Sequence, residues 1–430
     1  MKKTINIRKI LIIAICVFMV IPFFSPLALE DKERKDTTES SDGMKVEAKS
    51  ALLVEPTTGK VIYEKNADQK FAPASVTKVM TMLLAMESVD SGKNKLTDKV
   101  TCSENAKKMG GSTMLLENGE IRTLEELLKG VAIASGNDAA VAIAEYIGGS
   151  EENFVKMMND KAKELGMKNT HFNNCTGLPS EGHVSTAKDI SLMSMELLKH
   201  KDILKYSSIY METISEGRKS PIELVNHNKL VRFFKGCDGL KTGYTSEAKY
   251  CISATATRDG VRMLAVIMGA PTYKIRNRDA GMLLNYGFSK FEGKKIVSKD
   301  QVIGDANLSD ETDELFEAKA KNDLIAVLEK GQKGKIEKKI ILDKTKDKFK
   351  AGEIVGKCEL YNGKELVGEV EIYTDRDISK PGLFTKIKYK IKNIFKSKDE
   401  KENKETNEKD NKVNEENKNM SKDKNLKKAS

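Results

Sequence analysis

Ser75-Val-Thr-Lys78 places a hydroxyl three residues before an amine, at the head of the apolar stretch Phe71 to Met86. That spacing puts both side chains on one face of a helical turn. Val76, Val79, Met80, Leu83, Leu84 and Met86 mostly follow helical periodicity behind Pro73, which predicts a buried helix starting near Ala74. A serine at a helix start is ordinarily a cap, and a helical lysine is ordinarily solvated. Here the lysine opens a segment with no polar face, where an ammonium is costly without a partner or a task. Desolvation favours the neutral amine, and a neutral amine beside a serine activates a hydroxyl nucleophile.

Ser-x-x-Lys alone is a weak signal, since it recurs at Ser185–Lys188, Ser246–Lys249 and Ser421–Lys424. Only Ser75–Lys78 opens a long apolar helix. Two further groups raise its weight. Ser135-Gly136-Asn137 lies between two apolar helical segments, so its polar side chains face inward; the other Ser-x-Asn, Ser103-Glu104-Asn105, has no such setting. Lys241-Thr242-Gly243 occurs once, on an expected strand whose glycine leaves the backbone open to close approach by a substrate. The four histidines show no metal-ligand spacing, so neither a metal nor another cofactor is expected. Of the six cysteines none forms a CxxC pair, and they read as small buried apolar residues, Cys237 near Lys241 included.

The elements that must position these groups follow from periodicity and turn signals. Ser50–Glu55 and Lys60–Glu64 flank Pro56-Thr-Thr-Gly59 as a hairpin. Helices are expected from Thr123 (a Thr-x-x-Glu capping box) to Ala134, and at 139–147, 151–165, 187–198 and 276–286. Strands are expected from Gly236 to Thr245, Tyr250 to Thr257 and Val261 to Met268. Two early strands, a run of helices and three late strands predict an α/β (α+β) domain with a mainly antiparallel sheet flanked by helices, over residues 45–287. Residues 288–380 read as a small all-β domain, with Asn362-Gly363 as a hairpin turn.

The ends differ in texture. Lys2, Lys3, Arg8 and Lys9 precede an apolar run to Phe24 and then Ser25-Pro-Leu-Ala28, the pattern of a secretory signal over residues 1–28; a polar linker follows over 29–44. Residues 381–396 form an expected amphipathic helix, with Leu383, Phe384, Ile387, Ile391, Ile394 and Phe395 on one arc and five lysines on the rest. From Leu383 to Lys396 its length is about 21 Å, short of a bilayer core of about 30 Å, so it should lie in an anionic membrane surface rather than cross it. Residues 397–430 hold almost nothing to bury and read as a disordered tail. The net charge of +10 therefore points to a membrane or wall surface; no nucleic-acid-binding signature accompanies it.

With Ser-x-x-Lys, Ser-x-Asn and Lys-Thr-Gly in this order, the chain resembles the serine-type D-alanyl-D-alanine carboxypeptidases, the low-molecular-mass penicillin-binding proteins of peptidase S11 type. The likeness runs from about Lys45 to Tyr286 and extends to the β domain and terminal amphipathic helix. The resemblance implies that Ser75 attacks a terminal D-Ala-D-Ala peptide bond of peptidoglycan stem peptides, with Lys78 as base and Ser135 as proton relay. It implies that Asn137 holds the substrate amide, that Lys241, Thr242 and Arg276 serve the substrate carboxylate, and that the N–H groups of Ser75 and Tyr244 form the oxyanion hole. β-Lactams would acylate the same serine. Arg276 also reads as an ordinary helix-surface arginine, and Thr186-x-x-Asp189, within the family-like segment His183 to Asp189, as a helix cap. Rival readings are a β-lactamase, which lacks here a Glu-x-Glu-Leu-Asn segment before Lys241, and a non-catalytic scaffold that binds wall peptides at a membrane.

Overall fold

The computed structural model describes residues 44–214, 217–218, 220–309, 314–382 and 386–387. The expected signal segment, nearly all of the linker, most of the amphipathic helix and the charged tail lie outside these residues. Among the described residues, no helix is long and apolar enough to cross a membrane.

The first part of the chain is built on a five-stranded antiparallel sheet. Strands β1 (Ser50–Glu55) and β2 (Lys60–Lys65) form the hairpin at one edge, and β3 (Cys237–Thr245), β4 (Lys249–Arg258) and β5 (Val261–Ala270) complete it in the order β2-β1-β5-β4-β3. The strand that arrives last, β5, thus sits in the centre and pairs with the first, Leu52 lying opposite Val266. Its apolar run from Met263 to Met268 follows from burial on both faces. Leu264, Val266 and Met268 join the core on one side, while Met263, Ala265 and Ile267 join the core on the other.

Five helices cover the first face: α1 (Lys78–Asp90), α2 (Leu124–Ala132), α3 (Asn137–Gly148), α4 (Glu151–Glu164) and α5 (Ala187–Leu197). Helix α1 is buried nearly all round, which explains its lack of a polar stripe. The Thr123 capping box that starts α2 is formed in full, and Thr186 caps α5 by accepting from the Asp189 N–H at 3.0 Å. On the second face lies α6 (Tyr273–Lys290), longer than the expected 276–286 because Thr272 caps it by accepting from the Ile275 N–H.

From Phe291 to Ser379 the regular elements among the described residues are all strands. A five-stranded antiparallel sheet runs in the order Val302–Ala306, Phe316–Ala320, Glu365–Tyr373, Ile354–Asn362 and Ile336–Leu342. Phe291–Val297 pairs separately with Leu324–Glu329. The Asn362-Gly363 turn closes a hairpin as its sequence requires, with Gly363 at φ +64°.

Candidate active site

The serine lies on a tight turn rather than inside a helix. Ala74–Thr77 form a single 3-10 turn, and the α-helix proper begins only at Lys78. Ala74 holds φ +48°, a left-handed conformation that a residue with a β-carbon seldom adopts. Two glycines clamp this turn. A β-carbon on Gly243 of β3 would stand 2.9 Å from the Ser75 nitrogen and 3.0 Å from both the Ala74 β-carbon and the Pro73 carbonyl oxygen. One on Gly177, at φ +82°, would run into the Ala74 carbonyl and lie 2.9 Å from Thr77 Oγ1. The space at Gly243, which the sequence reading assigns to an approaching substrate, is thus taken by the Ser75 turn itself.

Lys78 is fully buried, and its Nζ makes three contacts: Ser75 Oγ at 3.1 Å, Asn137 Oδ1 at 2.6 Å and the Thr176 carbonyl at 2.7 Å. The Asn137 amide is oriented by its own Nδ2, which donates to the Gly110 carbonyl at 2.6 Å. Asn137 Oδ1 and the Thr176 carbonyl can only accept, whereas Ser75 Oγ can also donate. A neutral amine satisfies this set with its two N–H groups on the two carbonyls and its lone pair towards the Ser75 hydroxyl. Burial lowers the Lys78 pKa to about 7, against the opposing pull of Asp138. Lys241 is held well below the usual lysine range by burial first and then by Lys78 and Arg276.

Ser135 follows α2 at φ +61° and is buried, and Asn137 begins α3 with its N–H on the Ser112 carbonyl at 2.7 Å. Among the described residues, Lys241 on β3 donates only to the Thr242 carbonyl, at 3.0 Å. Arg276 on α6 is buried, contrary to the helix-surface alternative, and donates through Nε and Nη2 to Asn277 Oδ1 at 3.0 and 2.9 Å. Burial lowers its pKa to about 10. Among the described residues, neither Lys78, Lys241 nor Arg276 pairs with a carboxylate. Buried cations without acids lower the cost of bringing in an anion. The structure joins Ser75, Lys78 and Asn137 by hydrogen bonds and packs Gly243 on the serine turn. Ser135, Thr242 and Tyr244 make no direct bond to Ser75 or Lys78. A hydroxyl on an amine base, beside cations that lack acids, is suited to acyl transfer from a substrate that carries a carboxylate.

Comparison with known proteins follows the same lines. Residues 35–272 match the family model described as D-alanyl-D-alanine carboxypeptidase, and residues 291–380 match that of the penicillin-binding protein 5 C-terminal domain. The D-alanyl-D-alanine carboxypeptidase DacF of Bacillus subtilis is 44% identical over 369 residues, which cover 85% of this chain and 93% of that protein. The chain belongs to the D-alanyl-D-alanine carboxypeptidase family. DacA of Escherichia coli K12, another member, is 36% identical over 276 residues, 61% of this chain and 68% of that one. Among solved structures, penicillin-binding protein 5 of Haemophilus influenzae superposes with a TM-score of 0.57 at 29% identity, covering 78% of this chain and 99% of that one. PBP3 of Streptococcus pneumoniae gives 0.59 at 27%, covering 78% and 100%.

Three groups around the site of this carboxypeptidase-family chain escaped the sequence reading. Asp138 is buried and accepts from the N–H groups of Met114, at 3.0 and 3.1 Å, and Leu116, at 3.0 Å. It thereby fixes the loop whose Gly110 orients Asn137; an acid directly after Ser-x-Asn was the available signal. The Thr176 carbonyl that binds Lys78 is main chain, which no residue type announces. His183 lies in a segment noted for its family likeness, but its contact was not foreseen. Its Nδ1 accepts from the Asn173 N–H at 3.1 Å, so its Nε2 carries the proton and donates to Thr77 Oγ1 at 2.8 Å, inside the serine turn. Burial lowers the His183 pKa to about 4, which keeps the ring neutral. Cys237 is buried as expected, and burial pushes its thiol up to about 11, the range of a passive side chain.

Proposed function

We propose that this chain is a serine-type D-Ala-D-Ala carboxypeptidase that removes the terminal D-alanine from peptidoglycan stem pentapeptides through an acyl-enzyme on Ser75. The observation that carries the reading is the buried Lys78 amine 3.1 Å from Ser75 Oγ, with its other two bonds spent on groups that only accept. In the first step Ser75 Oγ attacks the penultimate carbonyl carbon and its proton passes to the Lys78 lone pair. The N–H groups of Ser75 and Tyr244 hold the oxyanion. Ser135 relays the proton to the departing nitrogen, the C–N bond breaks and D-alanine leaves as the free amine. Water then attacks the ester and restores the Ser75 hydroxyl.

Asn137 holds the substrate amide, while Lys241, Thr242 and Arg276 hold the terminal carboxylate. Arg276, buried and free of acidic partners, is suited to a bidentate contact. A β-lactam meets the same carboxylate and serine sites and forms a long-lived ester. Residues 1–28 direct export across the cytoplasmic membrane, and residues 381–396 anchor the enzyme peripherally on the outer face of that membrane through their lysine-flanked apolar arc.

The test uses the purified protein with an acyl-D-Ala-D-Ala peptide and labelled benzylpenicillin. We expect D-alanine release and stoichiometric labelling, both lost in Ser75→Ala. Labelling that persists in that variant would remove Ser75 from its role, and rapid penicillin turnover by the unmodified protein would make it a β-lactamase.

A further inference from the structure

We propose that Tyr244, Tyr250 and Tyr273 form a subsite for the side chain of the leaving residue, and that this subsite takes aromatic D-amino acids. The inference rests on the carboxypeptidase reading and extends it to the substrate's last residue. The three rings come from three elements: the end of β3, the start of β4 and the first residue of α6. Tyr244 and Tyr250 stack with centroids 4.4 Å apart at 33°, and Tyr250 meets Tyr273 edge-on at 6.4 Å and 61°. Tyr250 packs against the core of the second face and holds the ladder in place, but the outer two rings are not core. Tyr244 is 55% exposed and Tyr273 51% exposed, in a chain with 6% aromatic residues and no tryptophan.

Its position connects the two ends of the reaction. Tyr244 follows Gly243, the residue pressed against the Ser75 nitrogen. Tyr273 lies one turn before Arg276 on the same face of α6, and Tyr250 packs edge-on against Tyr273. A terminal D-residue carries its carboxylate and its side chain on one carbon. A carboxylate held at Arg276, with the scissile carbonyl at Ser75, therefore brings that side chain to the rings. The methyl group of D-alanine covers little of this surface, whereas a phenyl ring is large enough to stack on the exposed ring of Tyr273.

The experiment compares kcat/KM for matched peptides ending in D-Ala-D-Ala and D-Ala-D-Phe, using the full chain. The unmodified enzyme should cleave the D-Phe peptide at least as well as the D-Ala peptide. Tyr273→Ala should lower the D-Phe to D-Ala ratio about two- to twelvefold, the range of one aromatic pair; Tyr273→Phe, which keeps the ring, should retain it. A D-Phe peptide cleaved a hundredfold more slowly by the unmodified enzyme would overturn the subsite, as would an unchanged ratio in Tyr273→Ala. Should Tyr273→Ala fail to fold, the ratio in the unmodified enzyme and in Tyr273→Phe decides. D-alanine release without D-phenylalanine release removes the subsite alone; release of neither removes the carboxypeptidase reading with it.

Discussion

Both parts of the chain pair surface lysines with acids, as Lys199 does with Glu196 at 2.6 Å, but the sheet-and-helix part also buries three basic residues away from any acid among the described residues. In the sheet-and-helix part, Lys78, Lys241 and Arg276 are buried, and their hydrogen bonds go to neutral oxygens. In the all-β part, lysines sit at the surface and pair with acids: Lys350 with Asp377 at 2.6 Å, Lys380 with Asp347 at 2.7 Å, Lys295 with Asp323 at 2.6 Å. The first arrangement costs stability, because burial without a counter-charge disfavours the ionised form. The second costs and contributes little, because water already screens both partners. A cation kept where it destabilises the fold marks the place where the protein does chemistry. Ordinary ion pairs only keep a surface soluble.

The largest expected effect breaks the buried side of this comparison. Lys78→Arg keeps a long basic side chain but puts a fixed positive charge where the neutral amine stood and removes the ability to take a proton, since a guanidinium stays charged. The rate of acylation by benzylpenicillin should fall by about 10²–10⁴, the usual worth of a general base. The pH profile sharpens the same point. Only the neutral amine accepts a proton, and the Lys78 pKa is lowered to about 7. Acylation by the unmodified enzyme should therefore decline below about pH 7, approaching tenfold per pH unit, and level off above it. The residual rate of Lys78→Arg should lack that limb. A limb common to both proteins would assign the titration to another group.

Much of this site was legible because its chemistry is carried by residue types at fixed short spacings. Ser75 and Lys78 share one turn whether that turn is 3-10 or α, so the true geometry of Ala74–Thr77 did not alter the inference. The central sheet was legible because β5 is buried on both faces and shows it as an apolar run from Met263 to Met268. What escaped has a physical reason in each case. The Thr176 carbonyl is main chain, and Asp138 acts through backbone N–H groups brought near only by folding. The strand Phe291–Val297 carries Lys294 and Lys295 in its middle, which blurs its alternation, and its partner Leu324–Glu329 lies far along the chain. The extra turn at the start of α6 depends on Thr272, a cap that the reading passed over.

An intermediate effect tests how the buried site is held rather than what it contains. Gly243→Ala would set a β-carbon 2.9 Å from the Ser75 nitrogen and 3.0 Å from the Pro73 carbonyl oxygen, so the serine turn or the strand must shift. Overpacking of this kind costs roughly 1–3 kcal/mol. A displacement of up to about 1 Å at the nucleophile costs about a hundredfold in rate. Penicillin acylation should therefore drop by about 10–100-fold with a modest fall in Tm. An unchanged rate would show that the turn has slack and that the two glycines do not clamp it.

The smallest effect belongs to the other side of the comparison. Lys350 is 78% exposed and Asp377 60% exposed, although their atoms approach to 2.6 Å. Side-chain entropy and solvent screening offset most of the attraction in such a pair. Lys350→Ala should leave Tm within about a degree of the unmodified protein. It should also leave D-alanine release unchanged, since it lies in the all-β part and touches no group near Ser75. A clear loss of stability would mean that the second domain depends on its surface charges as the first depends on its core. The contrast between costly buried cations and inexpensive paired ones would then no longer separate the two parts.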